Sequence, residues 1–343
     1  MTVAGEIGFA ILGTGMVADY HRRAIEEAPG ARLVAVGHYD PARFEALSQR
    51  FGVPCLSLED LLEHPEVDAV CLATPSGQHA EQAVAAARAG KHVLVEKPMA
   101  LTLEDADAMI KACNRAGVKL GVVLQRRTEP LFRRVREAVL AGDLGTLSLG
   151  LVTLPYYRPQ RYFDGAAWRG TWALDGGGVL MNQGIHLVDL LVWLMGDPLE
   201  AQAYAGTLAR AIEVEDTLAA TLRFPGGALA TITATTTAAP GFAHRLELYG
   251  TGGGIQIEGE SLTRWQLARP EAARVAAPPV SKTQSAGSGG DPRGIAATGH
   301  LRVVADFADS IRQDRPPEIG GAEGRRSLAA VRMIYEAAGL PRP

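Results

Sequence analysis

Two short stretches carry the residues best suited to chemistry. In HVLVEKPMA, residues 92–100, an apolar run ends on a carboxylate, an ammonium and a proline, Glu96-Lys97-Pro98. Proline disfavours the α region for the residue before it, which holds Lys97 extended. A lysine placed there can hydrogen-bond a substrate hydroxyl and help move its proton; a plain surface lysine at a strand end is the competing reading. In DGGGVLMNQGIHLVDLLVWLMG, residues 175–196, a triple-glycine turn leads into a helical run bearing Asn182, His186 and Asp189. A spacing of four puts Asn182 and His186 on one helical face with Asp189 at the next i+3 position, while Leu187, Leu190, Leu191 and Leu194 form a face that can pack on a sheet. An imidazole titrates near neutrality without a large shift, so His186 suits general acid–base work, against the alternative of a structural helix histidine.

A third pattern supplies a place for a cofactor. ILGTGMVA sets Gly13, Gly15 and Ala18 in the order G-x-G-x-x-A between an apolar strand and a helix. Glycines there permit a tight turn and close approach of a pyrophosphate, and the helix N-terminus favours negative charge. The same residues also fit a tight turn that binds nothing. The second strand, VAVGHYD, ends on His38 with Asp40 two residues later. An acid at that tip would repel a 2′-phosphate and a histidine would not, so NAD and NADP both stay open. Between these motifs, YYRPQRYFDGAAWRGTW, residues 156–172, gathers Tyr157, Arg158, Arg161, Trp168, Arg169 and Trp172. Aromatic rings that pack on sugar faces and guanidinium groups that pair with carboxylate or phosphate suit a polar sugar; an interface or ordered loop fits equally.

The elements that must position these groups follow from periodicity. IGFAIL, RLVAVGHYD, VDAVCLATP, KHVLVEKP and KLGVVLQ read as strands, alternating with helical runs such as MVADYHRRAIEEA, PARFEALSQRFG, QHAEQAVAAARAG and LEDADAMIKACNRAG. That alternation predicts a parallel sheet with right-handed crossovers, ending near residue 125. From about 145 to 267, LSLGLVTL, DTLAATLRF, ALATITATTT and HRLELYG alternate as antiparallel strands joined by PGG and TGGG turns, with the His186 helix the one interruption. Residues 270–298 show no period and read as a mobile loop or lid, and amphipathic helices are expected over 299–313 and 324–338, packing back on the body. The expected architecture is α/β: a doubly wound, Rossmann-type domain over residues 1–125, then an α/β domain with an open, mainly antiparallel sheet over 126–343.

Composition narrows the function classes. A net charge of −4, with no basic cluster longer than RRVR at 133–136, gives nucleic acid little to attract it. Cys55, Cys71 and Cys113 are odd in number and lie in apolar contexts, which fits buried thiols in a reducing compartment. The N-terminus carries no signal-peptide pattern and no run of 18 apolar residues occurs, so a cytoplasmic protein without a membrane partner is expected. No metal site is expected.

Together the G-x-G-x-x-A turn, ATPSGQH at 73–79, EKP at 96–98 and GGGVLMNQGIHLVDLL resemble the Gfo/Idh/MocA oxidoreductases over nearly the full length. The resemblance implies NAD(P) bound by a Rossmann domain through Gly13, Thr14, Gly15, Met16, Val17, His38, Asp40, Ala73, Thr74, Pro75, His79, Glu96, Lys97 and Gln125. It implies a sugar-type substrate met by Arg126, Tyr157, Arg158, Arg161, Trp168, Arg169, Trp172, Asn182 and Gln183, and a homo-oligomer, dimer or tetramer, formed through the C-terminal sheet. Lys97 matches the family's E-K-P lysine and His186 its acid/base histidine. Where inositol dehydrogenases have an aspartate four residues before that histidine, this chain has Asn182, and NQGIH looks like the branch acting on nucleotide-linked sugars such as UDP-N-acetyl-aminoglucuronate. The implied catalytic set is Lys97 and His186, with Asn182 orienting a sugar hydroxyl. Two rivals share these features in part: a non-catalytic NAD(P)-binding regulator, which would not need Lys97 and His186, and a redox-assisted lyase or glycosidase that recycles its cofactor.

Overall fold

In chain order the elements of the computed structural model, which describes residues 5–280 and 298–342, are as follows. The first half holds β1 (Ile7–Leu12), α1 (Met16–Glu27), β2 (Ala31–Gly37), α2 (Phe44–Phe51), β3 (Cys55–Leu56), α3 (Leu58–Glu63), β4 (Ala69–Leu72), α4 (His79–Arg88), β5 (His92–Val95), α5 (Leu103–Ala116) and β6 (Leu120–Val122). There follow α6 (Pro130–Ala141), β7 (Leu147–Pro155), α7 (Gln160–Asp164) and α8 (Ile185–Met195), the last entered through a π-helical turn, Val179–Gly184. Six strands come next: β8 (Glu200–Gly206), β9 (Thr217–Arg223), β10 (Leu229–Thr235), β11 (Arg245–Gly250), β12 (Gly253–Glu258) and β13 (Ser261–Leu267). The described chain closes with α9 (Thr298–Arg312) and α10 (Gly321–Ala337). Most of the expected 270–298 loop, residues 281–297, lies outside the described residues; before it, the Arg274 and Val275 backbone N–H groups donate to the Asp143 carboxylate.

The chain divides into two compact units, residues 1–125 with 296–325 and residues 126–295 with 326–343. The first unit is a parallel sheet in the order β3-β2-β1-β4-β5-β6. Central β1 is apolar and buried along its whole length, as a strand covered on both faces must be. The chain winds outward in both directions from the β1–β4 pair, and that switch point is where an open α/β sheet offers a crevice. The sequence pattern groups residues 299–313 with the second domain, whereas α9 packs in the first unit. Its Phe307 meets Phe9 with ring centroids 6.3 Å apart and lies over Gly121, where a Cβ would stand 2.7 Å from the Phe307 ring.

The second unit is a seven-stranded sheet in the order β13-β12-β11-β7-β10-β9-β8. Every pairing is antiparallel except β10 on β7. Strands β9 and β10 alternate buried and outward residues along their length, so the sheet has one covered and one open face. On the covered face α8 packs against β7, where Gly150 leaves room for Leu191 and Met195. Two helices beyond the expected interruption belong to this unit, α6 and the short α7.

Candidate active site

In the first unit the loop after β1 has the geometry of a dinucleotide turn. Gly13 sits at φ +100°, and a Cβ on it would lie 2.5 Å from the Ala73 carbonyl oxygen, so the residue must be glycine both for its backbone and for the close pass of the β4 loop. Gly15 is different: among the described residues no atom lies within 4 Å of where its Cβ would be, and none of their side chains caps the first helical N–H groups of α1. Open space in front of uncapped N–H groups at Met16 and Val17 fits a pyrophosphate. Arg50 braces this loop, donating to the Thr14 carbonyl at 3.0 Å while its other nitrogen pairs with Asp19 at 2.6 Å.

At the end of β4, Thr74 Oγ1 donates to Gln82 at 2.6 Å. His79, the first residue of α4, is buried, with Nδ1 2.9 Å from the Pro98 carbonyl and Nε2 3.0 Å from the Thr74 carbonyl. Burial pulls its pKa down against the upward pull of those carbonyls. The ring therefore ties the loop after β4 to the loop after β5. Glu96, too, is engaged by protein groups. It is 8% exposed and accepts a hydrogen bond from His21 Nε2 at 2.9 Å, with His300 Nε2 3.5 Å from the same oxygen. Burial disfavours its charge, yet the hydrogen bonds from His21 and His300 hold the carboxyl well below the usual range. Its charge therefore looks inward, while Lys97, next in the chain and joined to Pro98 by a cis peptide bond, is half-buried.

The second unit builds its site around the triple-glycine turn. Glu215 is 1% exposed and its carboxylate accepts from the backbone N–H groups of Gly178 at 2.8 Å and Leu180 at 3.0 Å and from the Tyr335 hydroxyl at 2.7 Å. Burial pushes its pKa up to about 7 against these donors. Gly178 admits no side chain, since a Cβ would fall 1.7 Å from the Glu215 carbonyl oxygen. The turn that follows is π-helical, so Asn182 and His186 do not hold the simple i, i+4 register of an α-helix, and this corrects the sequence reading. Asn182 donates its amide to the buried Asp175 carboxylate at 2.7 Å and accepts from Gln183 at 3.2 Å. Gln183 also hydrogen-bonds Tyr162, whose hydroxyl pKa burial raises. His186 follows at the second residue of α8, half-buried.

Asp189 does not extend a catalytic face. It is 1% exposed, accepts two hydrogen bonds from Arg127, from Nε at 2.9 Å and Nη2 at 2.7 Å, and a third from the Ser327 hydroxyl. Of the aromatic and basic stretch, Trp172 anchors through its indole N–H to the Glu213 carbonyl at 3.1 Å and meets Tyr335 edge-on. Arg169 lies over the rings of Tyr162 and Trp168, at 4.6 and 5.4 Å, so these three residues stand together on the segment before the glycine turn. Arg161 is exposed on α7, and Tyr157 lies under the Arg210 guanidinium at 5.3 Å. Two of the expected substrate-binding residues also make contacts within the protein. Arg158 is buried over Tyr156 and donates to the Tyr157 carbonyl, and Arg126 pairs with Glu260 at 2.7 Å. Gln125 is the last residue of the first unit's leading segment. Sequence pattern does not reveal Asp175, Glu215 or Tyr335 as parts of the site; only Asp175, adjoining the triple glycine, offers a local signal.

Comparison with known proteins matches both units to one family. Residues 7–124 match the oxidoreductase family with an NAD-binding Rossmann fold, and residues 132–256 match the GFO/IDH/MocA C-terminal domain. Over 99% of this chain and 97% of the other, the fold superposes with a TM-score of 0.87 and 35% identity on the WlbA dehydrogenase of Bordetella pertussis, solved with NADH and UDP-GlcNAcA. The chain is 30% identical to an inositol 2-dehydrogenase of Rhizobium meliloti over 74% of its own length and 76% of that protein. It is 34% identical to a 1,5-anhydro-D-fructose reductase of Ensifer adhaerens over 65% and 67% respectively.

Proposed function

The chain belongs to the Gfo/Idh/MocA oxidoreductase family, and from that premise we propose that it is an NAD(P)-dependent dehydrogenase of a nucleotide-linked sugar acid or a related sugar. The observation that carries the reading is the Asp175–Asn182–Gln183 hydrogen-bonded chain in the turn before His186, which fixes amide groups where a sugar hydroxyl needs orienting. A nicotinamide in this family takes or gives the hydride at the alcohol carbon. The chain's own groups do the rest. Backbone N–H groups at the start of α1 hold the pyrophosphate, and Asp175 keeps the Asn182 amide in one orientation. As hydride leaves the carbon, the hydroxyl proton passes to His186, with the Lys97 ammonium polarising the same oxygen.

The test is kinetic. A panel of UDP-linked uronates, free sugars and inositols is screened with both cofactors for the reduced-nicotinamide absorbance. Stoichiometric reduced cofactor supports a dehydrogenase; turnover without net absorbance change indicates a recycling lyase or glycosidase instead. On the substrate found, Lys97→Met and His186→Ala should each lower kcat by about 10² to 10⁴, the usual worth of one positioned proton-transfer group. Acting as a unit, they should give a double variant only slightly worse than the poorer single one. A near-normal kcat in His186→Ala overturns its role.

The open face of the second unit's sheet, with Tyr204 87% exposed on β8, suits a homo-oligomer, which light scattering would detect. Among the described residues no helix is long and apolar enough to cross a membrane, and the reading takes the cytoplasm as the place of action.

A further inference from the structure

We infer that Glu215 and Tyr335 are positioning residues of this enzyme: together they fix the start of the helical segment that carries Asn182 and His186, and through it the place of the imidazole that takes the substrate proton. The inference rests on the proposed dehydrogenase reading, in which His186 receives that proton, and adds two residues that act on it through the backbone. The first four N–H groups of a helix have no partner inside it. Here they belong to Gly178, Val179, Leu180 and Met181, since the first bond within the segment runs from the Asn182 N–H to the Gly178 carbonyl at 3.0 Å. Glu215 accepts from Gly178 and Leu180 through its carboxylate, at 2.8 and 3.0 Å, and from Val179 through its backbone carbonyl at 3.0 Å. Met181 donates to the Tyr335 hydroxyl at 3.1 Å, and that hydroxyl donates in turn to Glu215 Oε1 at 2.7 Å.

The directions of these bonds are fixed, because a backbone N–H can only donate, which leaves the phenol proton for the carboxylate. Glu215 is itself firmly held. Asp216, next in the chain, is fully buried and accepts from the N–H groups of Leu208, Ala209 and Arg210 at 3.0, 2.7 and 3.0 Å. Tyr335 is fully buried too, and its ring meets Trp172 edge-on with centroids 5.9 Å apart. The pair also accounts for the triple glycine: a Cβ on Gly177 would meet the Tyr335 hydroxyl and one on Gly178 the Glu215 carbonyl, so side chains there would push the helix start off its acceptors. A buried N–H that loses its acceptor carries a desolvation penalty, which the segment relieves by shifting. His186 stands five residues past Met181 and shifts with it. A displacement of about 1 Å at a reacting group can cost about 10²-fold in rate.

The test pairs turnover with a signal that needs no substrate. Tyr335→Phe keeps the ring and its packing and removes only the hydroxyl, while Glu215→Gln keeps one accepting side-chain oxygen. With the substrate found, deuterated at the carbon that gives hydride, each variant should lower kcat about ten- to a hundredfold, show a primary isotope effect on kcat, and keep KM for the cofactor within about twofold. In the full-length protein alone, carrying isotope-labelled histidine, the His186 ring resonance, identified by its loss in His186→Ala, should move in both variants. Circular dichroism checks the fold, and Tyr335→Phe decides alone if Glu215→Gln does not fold. A folded Tyr335→Phe with wild-type kcat, or a lowered kcat with no isotope effect and an unmoved His186 resonance, overturns the inference while leaving the dehydrogenase reading intact. If the wild type turns over no member of the panel, the dehydrogenase reading falls and the resonance decides the rest: moved in Tyr335→Phe, it upholds the hold of the pair on His186; unmoved, it overturns that as well.

Discussion

Removing the Asp189 carboxylate should destabilise the second unit sharply. Asp189 and Arg127 are 1% and 3% exposed, joined by two parallel hydrogen bonds, and the Arg127 guanidinium lies 5.6 Å from the Trp193 ring centroid. Asp189→Ala takes away the carboxylate that accepts two hydrogen bonds from that buried guanidinium, and breaking a buried pair from one side costs about 3–5 kcal/mol. In a domain of 150–250 residues each kcal/mol moves Tm by about 2–4 °C, so the melting point should fall by roughly 6–20 °C. Ser327→Ala removes one hydrogen bond to the same carboxylate and leaves both charges paired, so it should cost only about 1–2 kcal/mol. Replacing both members, Arg127→Met with Asp189→Leu, removes the stranded charge and should recover most of the loss. Thermal unfolding followed by circular dichroism reads all these variants. The reasoning is refuted if Asp189→Ala costs under about 1 kcal/mol, or if the double replacement is as unstable as the two single losses added together.

Burial raises the Glu215 pKa to about 7, so the folded state holds a proton there that the unfolded chain has released. Stability should therefore decline as pH rises from about 4.5 to 7, by up to about 3 kcal/mol, and level off above; Glu215→Gln should flatten that slope, and parallel Tm–pH curves would count against it. Gly178→Ala, whose methyl would overlap the Glu215 carbonyl, should cost more than about 4 kcal/mol, and soluble protein with a wild-type Tm would show the turn can yield. A reduced nicotinamide dinucleotide at about a hundred times its Kd should add roughly 2.7 kcal/mol to stability, and no shift in melting with either NADH or NADPH would refute the cradle at Gly15.

The parts legible in the sequence are those written in local pattern. Apolar strands alternating with helices announce the parallel sheet, and Gly13 and Gly15 announce its turn. Helix α6 has its signals too, Pro130 at the first position and Gly142 in the left-handed conformation after the last, but its apolar stripe lies between two domains of different texture, so periodicity does not single it out. Strand β8, EAQAYAG, is an edge strand with few β-branched residues and no continuous buried side, which leaves its alternation faint. Side-chain direction is the harder matter. His79 and Glu96 stand at strand ends where ligands bind, and only their partners, the Thr74 and Pro98 carbonyls for one and His21 and His300 for the other, show that both look inward. Glu215 and Tyr335 are 120 residues apart and join across the sheet's covered side, a pairing that no window of sequence contains. The π turn before His186 is likewise invisible: the backbone N–H groups of Gly178 and Leu180, at its start, donate to Glu215, which lies far along the chain.

Helix α9 gives the first unit an unusual timetable. Phe307 fills the space against Phe9 and Gly121, and His300 supplies one of the two imidazoles facing Glu96, yet both emerge from the ribosome long after the strands they complete. At synthesis rates of about 5–20 residues per second, the sheet formed by residues 7–122 waits roughly ten to forty seconds with Phe9 and Gly121 lacking the Phe307 ring and a carboxylate short of one partner. A nascent chain arrested before residue 300 is therefore a client for chaperones, and a fragment ending at residue 125 would have to be supplied with α9, by fusion or by circular permutation, to become a self-standing nucleotide-binding domain.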